Sequence, residues 1–136
     1  SVDMSNTYTD WAKLNFSLNE MDQYDHIAIR ENVFFFLDTA KNKRWKNDIL
    51  VNDPPTFSNS KQRRSPFDIQ RDYPKLIYSS LELLKEDGIL LFSTNFTKFK
   101  LNEDLILARE ILDVTDITIP PDFSNQKIHK CYLISN

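Results

Sequence analysis

Glycine is almost absent from this chain. Gly88 stands alone among 136 residues, where ordinary usage of about 7% would supply roughly nine or ten. A Gly-rich loop that cradles phosphate or a cofactor is therefore excluded from these residues. Cysteine is as scarce: Cys131 alone cannot form an internal disulfide, and it fits a reducing, cytoplasmic compartment. With only His26 and His129 besides, no metal site is expected. No apolar run approaches the roughly 18 residues that cross a membrane, so no membrane partner is expected. Ser1-Val2-Asp3 lacks the basic start of a secretion signal. A surplus of positive charge is missing too. The net charge is −3, so attraction to nucleic acid has to be local rather than global.

What is present is ordinary globular material, 40% hydrophobic and 27% charged, with room for one domain. Strand-like and helix-like segments alternate. Ser1 to Met4 reads as the end of a strand. Ser5 or Asn6 caps a helix to about Asn19, with Tyr8, Trp11 and Leu18 near one face. Ile27 to Arg30 alternates as a short strand does, and Val33 to Lys41 is a short helix. Ile49-Leu50-Val51 is a continuous β-rich run, as in a buried parallel strand.

Residues 52 to 67 hold Pro54, Pro55, Asn59 and Pro66 without periodicity, and read as a loop. Helical spacing returns from Asp68 to Glu86, where Pro74 marks a kink or a restart capped by Asp72, and Gly88 stands at the C′ position. Ile89 to Phe92 is a second buried strand. Asn102 caps a predicted helix to about Leu112, with Leu105, Ile106 and Leu112 inward. Val114 to Ile119 and Ile128 to Ile134 form a closing antiparallel pair. The pattern predicts an α/β fold: a mostly parallel open sheet, helices on both faces, and a C-terminal antiparallel pair. Such sheets bind ligands beyond the C-terminal ends of their strands.

Two loops stand at such ends. Asp3 closes the first strand, where a carboxylate can accept from ribose hydroxyls or simply serve the following helix. Asn32 can read an adenine amino group with Val33 against the ring, or cap its helix. The strongest signal is Asp53-Pro54-Pro55-Thr56-Phe57. Two prolines fix φ and remove two donors, and Asp53 is pushed to extended geometry. A rigid acceptor followed by an aromatic suits a flipped base; a plain turn is the alternative. Lys61, Arg63 and Arg64 on the loop leaving it, with Arg71 nearby, can hold phosphates or merely be solvated. Lys98 and Lys100 form a second basic cluster. Cys131, two residues after His129, is expected to be a buried, inert thiol.

The runs Ser1–Tyr8, Asn52–Lys61, Phe67–Asp72 and Ile128–Ile134 together resemble the C-terminal, guanine-N7 methyltransferase domain of the bacterial bifunctional 23S rRNA methyltransferase family RlmKL. The resemblance runs from residue 1 to 136. It implies a Rossmann-like S-adenosylmethionine-dependent methyltransferase fold and a partial domain over 1–136, in which the first strand and its Gly-rich loop would lie upstream. By position it implies that Asp3 holds the ribose of S-adenosylmethionine, that Asn32, where the family has Asp, meets the adenine beside Val33, and that Asp53, Pro54, Pro55 and Phe57 form the reaction loop. Asn95 matches an Asn after a later strand. Lys61, Arg63, Arg64, Arg71, Asn95 and Lys98 become the candidate contacts to 23S rRNA.

The function implied is methyl transfer to guanine N7 of 23S rRNA by the parent protein, with the isolated chain inactive. One alternative is a cytosine-C5 RNA methyltransferase, which needs a nucleophilic cysteine where this chain has Thr94-Asn95. Another is a non-catalytic remnant that binds RNA or a partner. The expected partners are 23S rRNA, the N-terminal remainder of the methyltransferase domain, and a second copy through exposed sheet edges.

Overall fold

The computed structural model describes residues 1–21, 25–58, 66–123 and 128–136. They gather into two compact units, Ser1–Arg44 and Trp45–Asn136.

In the first unit, β1 (Val2–Asp3) pairs in parallel with β2 (Ile29–Arg30), Asp3 opposite Arg30. Helix α1 (Asn6–Leu18) is capped by Ser5, whose side chain accepts from Tyr8 N, and α2 (Val33–Asn42) is capped by Asn32. Phe34, Leu37 and Ala40 form the buried stripe of α2, at the spacing that aligns one helix face. Tyr8 and Trp11 lie ring to ring at 5.7 Å, yet each is 59% exposed. Of the three phenylalanines in α2, only Phe34 is buried.

Both helices end in a conformation that normally selects glycine. Glu20 and Arg44 have φ of 55° and 56°. After α1, Met21 N donates to Phe16 O at 2.9 Å and Glu20 N to Ser17 O at 3.2 Å, the paired bonds of a Schellman ending. The glycine-poor sequence makes these endings with L side chains in the left-handed region, at a cost of about 1–2 kcal/mol each.

In the second unit four strands form one sheet in the order β3-β6-β8-β7. Here β3 is Asn47–Asn52, β6 is Leu84–Thr94, β7 is Glu110–Asp113 and β8 is Lys130–Ser135. The β3/β6 pair is parallel and the other two are antiparallel. A two-residue antiparallel ladder joins β4 (Phe57–Ser58) to β5 (Phe67–Asp68), so the segment read as loop from 52 to 67 carries strand pairing at its ends. Helix α3 (Ile69–Leu81) follows directly. Its buried face, Ile69, Tyr73, Leu76, Ile77 and Leu81, belongs to the same core as Leu90 and Phe92 of β6 and Ile134 of β8. Burial of each Leu or Ile contributes about 1.5–3 kcal/mol. The sheet's other side presents Ile49, Val51 and Ile89 to solvent.

Three expectations are corrected. Helix α3 is one helix from Ile69 with Pro74 inside it, and its cap is Asp68, whose carboxylate accepts from Arg71 N at 3.0 Å, rather than Asp72. Gly88 is not a helix terminator; it lies within β6, and its φ is not positive. There β6 advances from 84 to 89 while β3 advances from 47 to 49, an irregularity in the ladder. A Cβ on Gly88 would meet Asn47 O and Leu84 Cβ at 3.0 Å, so close approach selects the glycine. Lastly, the helix expected from Asn102 to Leu112 is a single 3-10 turn, Glu103–Leu105, followed by β7, and 114–119 is not a strand. Leu105 and Leu107 are 58% and 86% exposed. Pairing of Glu110–Asp113 with β8 satisfies the backbone there instead.

Replacing Glu20 or Arg44 with glycine is expected to raise unfolding stability by about 0.5–1 kcal/mol each, after the added entropy of the unfolded chain offsets part of the relieved strain. Urea denaturation of the two single variants reads this directly.

Candidate functional site

The C-terminal ends of the parallel pair β3 and β6 lie side by side, with Asn52 in register with Phe92. One residue further, Ser93 Oγ donates to Asp53 Oδ1 at 2.7 Å, in the short range of a hydroxyl bound to a carboxylate. The two polar residues at the end of β3 therefore go opposite ways. Asn52 turns to the helix side, where Nδ2 donates to the fully buried Ser80 Oγ at 2.8 Å. Asp53 stays exposed, as residues of a strand alternate between faces.

The loop that follows is held at both ends. Ile69 N donates to Thr56 O at 3.1 Å, and Phe57 pairs with Asp68 across the β4/β5 ladder. The Phe57 ring is 54% exposed. Pro54 is half-buried and Pro55 exposed. This is a fixed backbone displaying a carboxylate and an aromatic face.

Asn95 is exposed just past the end of β6, and Lys98 is exposed on the same connection. Gln70, in the first turn of α3, grips that connection with two bonds: Nε2 to Lys100 O at 2.8 Å and Oε1 from Lys100 N at 2.9 Å. One helix start thus anchors both the Asp53 loop and the Lys98 connection. Arg71 is exposed but already engaged within the chain. Its guanidinium forms an ion pair with Asp72 at 2.8 Å and donates to Pro66 O. The Asp72 hydrogen bond, more than charge alone, raises its pKa above the usual arginine value. Lys61, Arg63 and Arg64 lie outside the described residues.

Asp3 is exposed at the end of β1, and its Oδ1 accepts from Ser5 N at 2.7 Å, so it serves the entry to α1 while remaining at a strand end. Asn32 Oδ1 accepts from Phe34 N at 3.0 Å and from Phe35 N at 3.4 Å. The capping role left open by the sequence is the one its amide oxygen performs. Val33 is half-buried at the first position of α2.

Cys131 is 3% exposed, and burial raises its thiol pKa. Opposite it in the ladder is Ser93. His129 Nε2 bonds Thr118 Oγ1 at 2.9 Å, not the thiol. Among the described residues no group of three or more His, Cys, Asp or Glu could hold a metal ion.

Ser93, Gln70 and Ser80 were not legible as site residues in the sequence. The one available signal for Ser93 is its place beside Thr94-Asn95, at the end of a strand.

No protein-family model matches the chain. It is 46% identical over 134 residues to ribosomal RNA large subunit methyltransferase K of Neisseria meningitidis, covering 98% of this chain and 38% of that protein. It is 42% identical over 135 residues to ribosomal RNA large subunit methyltransferase K/L of Methylococcus capsulatus, covering 98% of this chain and 18% of that protein. The chain thus spans well under half the length of these curated relatives. Among solved structures it resembles a methyltransferase complexed with SAH, at TM-score 0.76 and 24% identity, covering 100% of this chain and 38% of the other. It also resembles the SAM-dependent methyltransferase of Agrobacterium tumefaciens, at TM-score 0.65 and 21% identity, covering 77% and 34%. The α/β fold, with its parallel and antiparallel strands, is thus that of S-adenosylmethionine-dependent methyltransferases. Over 98% of its length, this chain belongs to the family of ribosomal RNA large subunit methyltransferases K and K/L.

Proposed function

We propose that the chain supplies the acceptor-base loop, and the ribose and adenine contacts, of an enzyme that methylates guanine N7 in 23S rRNA. The observation that carries this reading is Asp53: an exposed carboxylate at the C-terminal end of a parallel strand, braced by Ser93 and followed by Pro54-Pro55 and the open face of Phe57. The ring nitrogen N7 of guanine has its own lone pair and requires placement more than activation. Phe57 offers a stacking face for a base taken out of its helix. Asp53 and the donor-free backbone of Pro54 and Pro55 offer only acceptors, which suit the N–H edge of guanine and leave N7 on the ring's other side. Asn95, Lys98 and Arg71 are proposed to contact the RNA, Arg71 with part of its charge already shared with Asp72.

When bound, S-adenosylmethionine supplies the electrophilic methyl group. The residues present fit its nucleoside end. Asp3 is an exposed acceptor at the end of β1, suited to ribose hydroxyls, and Val33 can pack on adenine beside Asn32. With one glycine, itself buried in β6, these residues offer no Gly-rich cradle for the methionine end.

The carbon-methylating alternative requires a thiolate. The lone thiol here is buried, pushed toward its neutral form, and on β8 rather than after β6. That favours transfer to a base nitrogen.

In the complete protein encoded by the gene, Asp53→Ala is expected to lower methyl transfer at least about 100-fold, the scale of a misplaced reactant. Asp3→Ala is expected to weaken S-adenosylmethionine binding in calorimetry; unchanged binding removes the ribose role. The 136-residue chain alone is expected to transfer no methyl group to 23S rRNA, and measurable incorporation of labelled methyl refutes this. Cys131 should react with Ellman's reagent at pH 8 at least about tenfold more slowly in the native chain than in denaturant. Because its pKa is raised on folding, that contribution to stability is present below the unfolded thiol pKa of about 8.5 and declines above it.

A further inference from the structure

Resting on that reading of Asp53, we propose that Ser93 is a positioning residue that fixes the orientation of the Asp53 carboxylate, engaging one oxygen and leaving the other for the acceptor base. A carboxylate on an exposed strand end can turn about its terminal bond, and its two oxygens are then equivalent. Here they are not. Ser93 Oγ has one proton and gives it to Oδ1 at 2.7 Å. One oxygen is thereby held toward β6, and the other is left as an acceptor on an exposed residue. Ser93 itself has little freedom to follow a moving carboxylate. The ladder holds it on one side through Phe92 against Asn52 and on the other through its own pairing with Cys131. Pro54 restricts the Asp53 backbone from the following position. The carboxylate is consequently held by the sheet and not by the loop alone. A single oriented oxygen suits a base that offers an N–H donor at one point. Ser93 reaches the base only through Asp53.

The test uses three variants in the complete protein: Ser93→Ala, Ser93→Thr and Asp53→Asn. Each is measured for kcat, for KM toward rRNA and S-adenosylmethionine, and for Tm. Ser93→Ala is expected to lower kcat about tenfold, within the range that misplacement costs, with KM for S-adenosylmethionine and Tm unchanged. Ser93→Thr keeps the hydroxyl on a residue suited to strands and is expected to restore kcat to within about twofold. Asp53→Asn still accepts from Ser93 but loses the charge and the second acceptor, and is expected to cost more than Ser93→Ala. If Ser93→Ala keeps full kcat while Asp53→Asn fails, the positioning role is overturned and the reading of Asp53 survives. If Asp53→Asn is fully active, the reading of Asp53 itself falls, and the proposal with it. Equal losses in Ser93→Ala and Ser93→Thr, or a loss that tracks Tm, show that packing matters and not the hydroxyl, and also overturn it.

Discussion

The parallel pairing of β3 with β6 is the constraint on which the second unit depends. It fixes Asn52 opposite Phe92, and the placement of Asp53 beside Ser93 follows from that register. A slip of one residue would turn Asp53 inward and Asn52 outward. Asn52 would then lose Ser80, leaving a polar group of α3 buried and unpaired, at a cost of about 1–3 kcal/mol. The same part-buried bond that ties helix to sheet thus keeps Asp53 on the exposed side.

Helix α3 is the second fixed point. Its cap Asp68 belongs to the β4/β5 ladder, its first residue holds Thr56, and its second clamps Lys100. Both connections that bear candidate site residues are therefore anchored within one helical turn. The buried stripe from Ile69 to Leu81 gives that turn a rigid foundation. Anchoring candidate residues on one helix start gives them a common frame, as placement of a base requires.

The scarcity of glycine shapes the rest. The one glycine is placed where a Cβ would press on Asn47 and Leu84 at the irregularity in the β3/β6 ladder. The helix endings that usually take glycine are made by Glu20 and Arg44. Close contact with another backbone admits no side chain at all, whereas an exposed left-handed turn admits one at modest cost.

Much of this was legible in the sequence. The helices from Asn6 and Val33 and the strand through Ile49-Leu50-Val51 are local patterns, caps and a β-branched run, although the burial expected of that strand is not found: Ile49 and Val51 are exposed. Their flanking residues also carried the family resemblance. Tertiary structure alone decided the rest. Residues 102 to 113 have helical spacing, but Glu110–Asp113 pair with β8, and only the single 3-10 turn Glu103–Leu105 is left of the helix. Asp68 rather than Asp72 caps α3 because the β4/β5 ladder delivers it there. Ser93 and Gln70 acquire roles only through partners 40 and 30 residues away. The sequence by itself determined which residues could serve as acceptor, aromatic face and rigid turn, because those are properties of single residues and their neighbours. That Asp53 is braced by Ser93, and which strand-end polar group is exposed, was decided by sheet register, a relation between distant segments that no local pattern encodes.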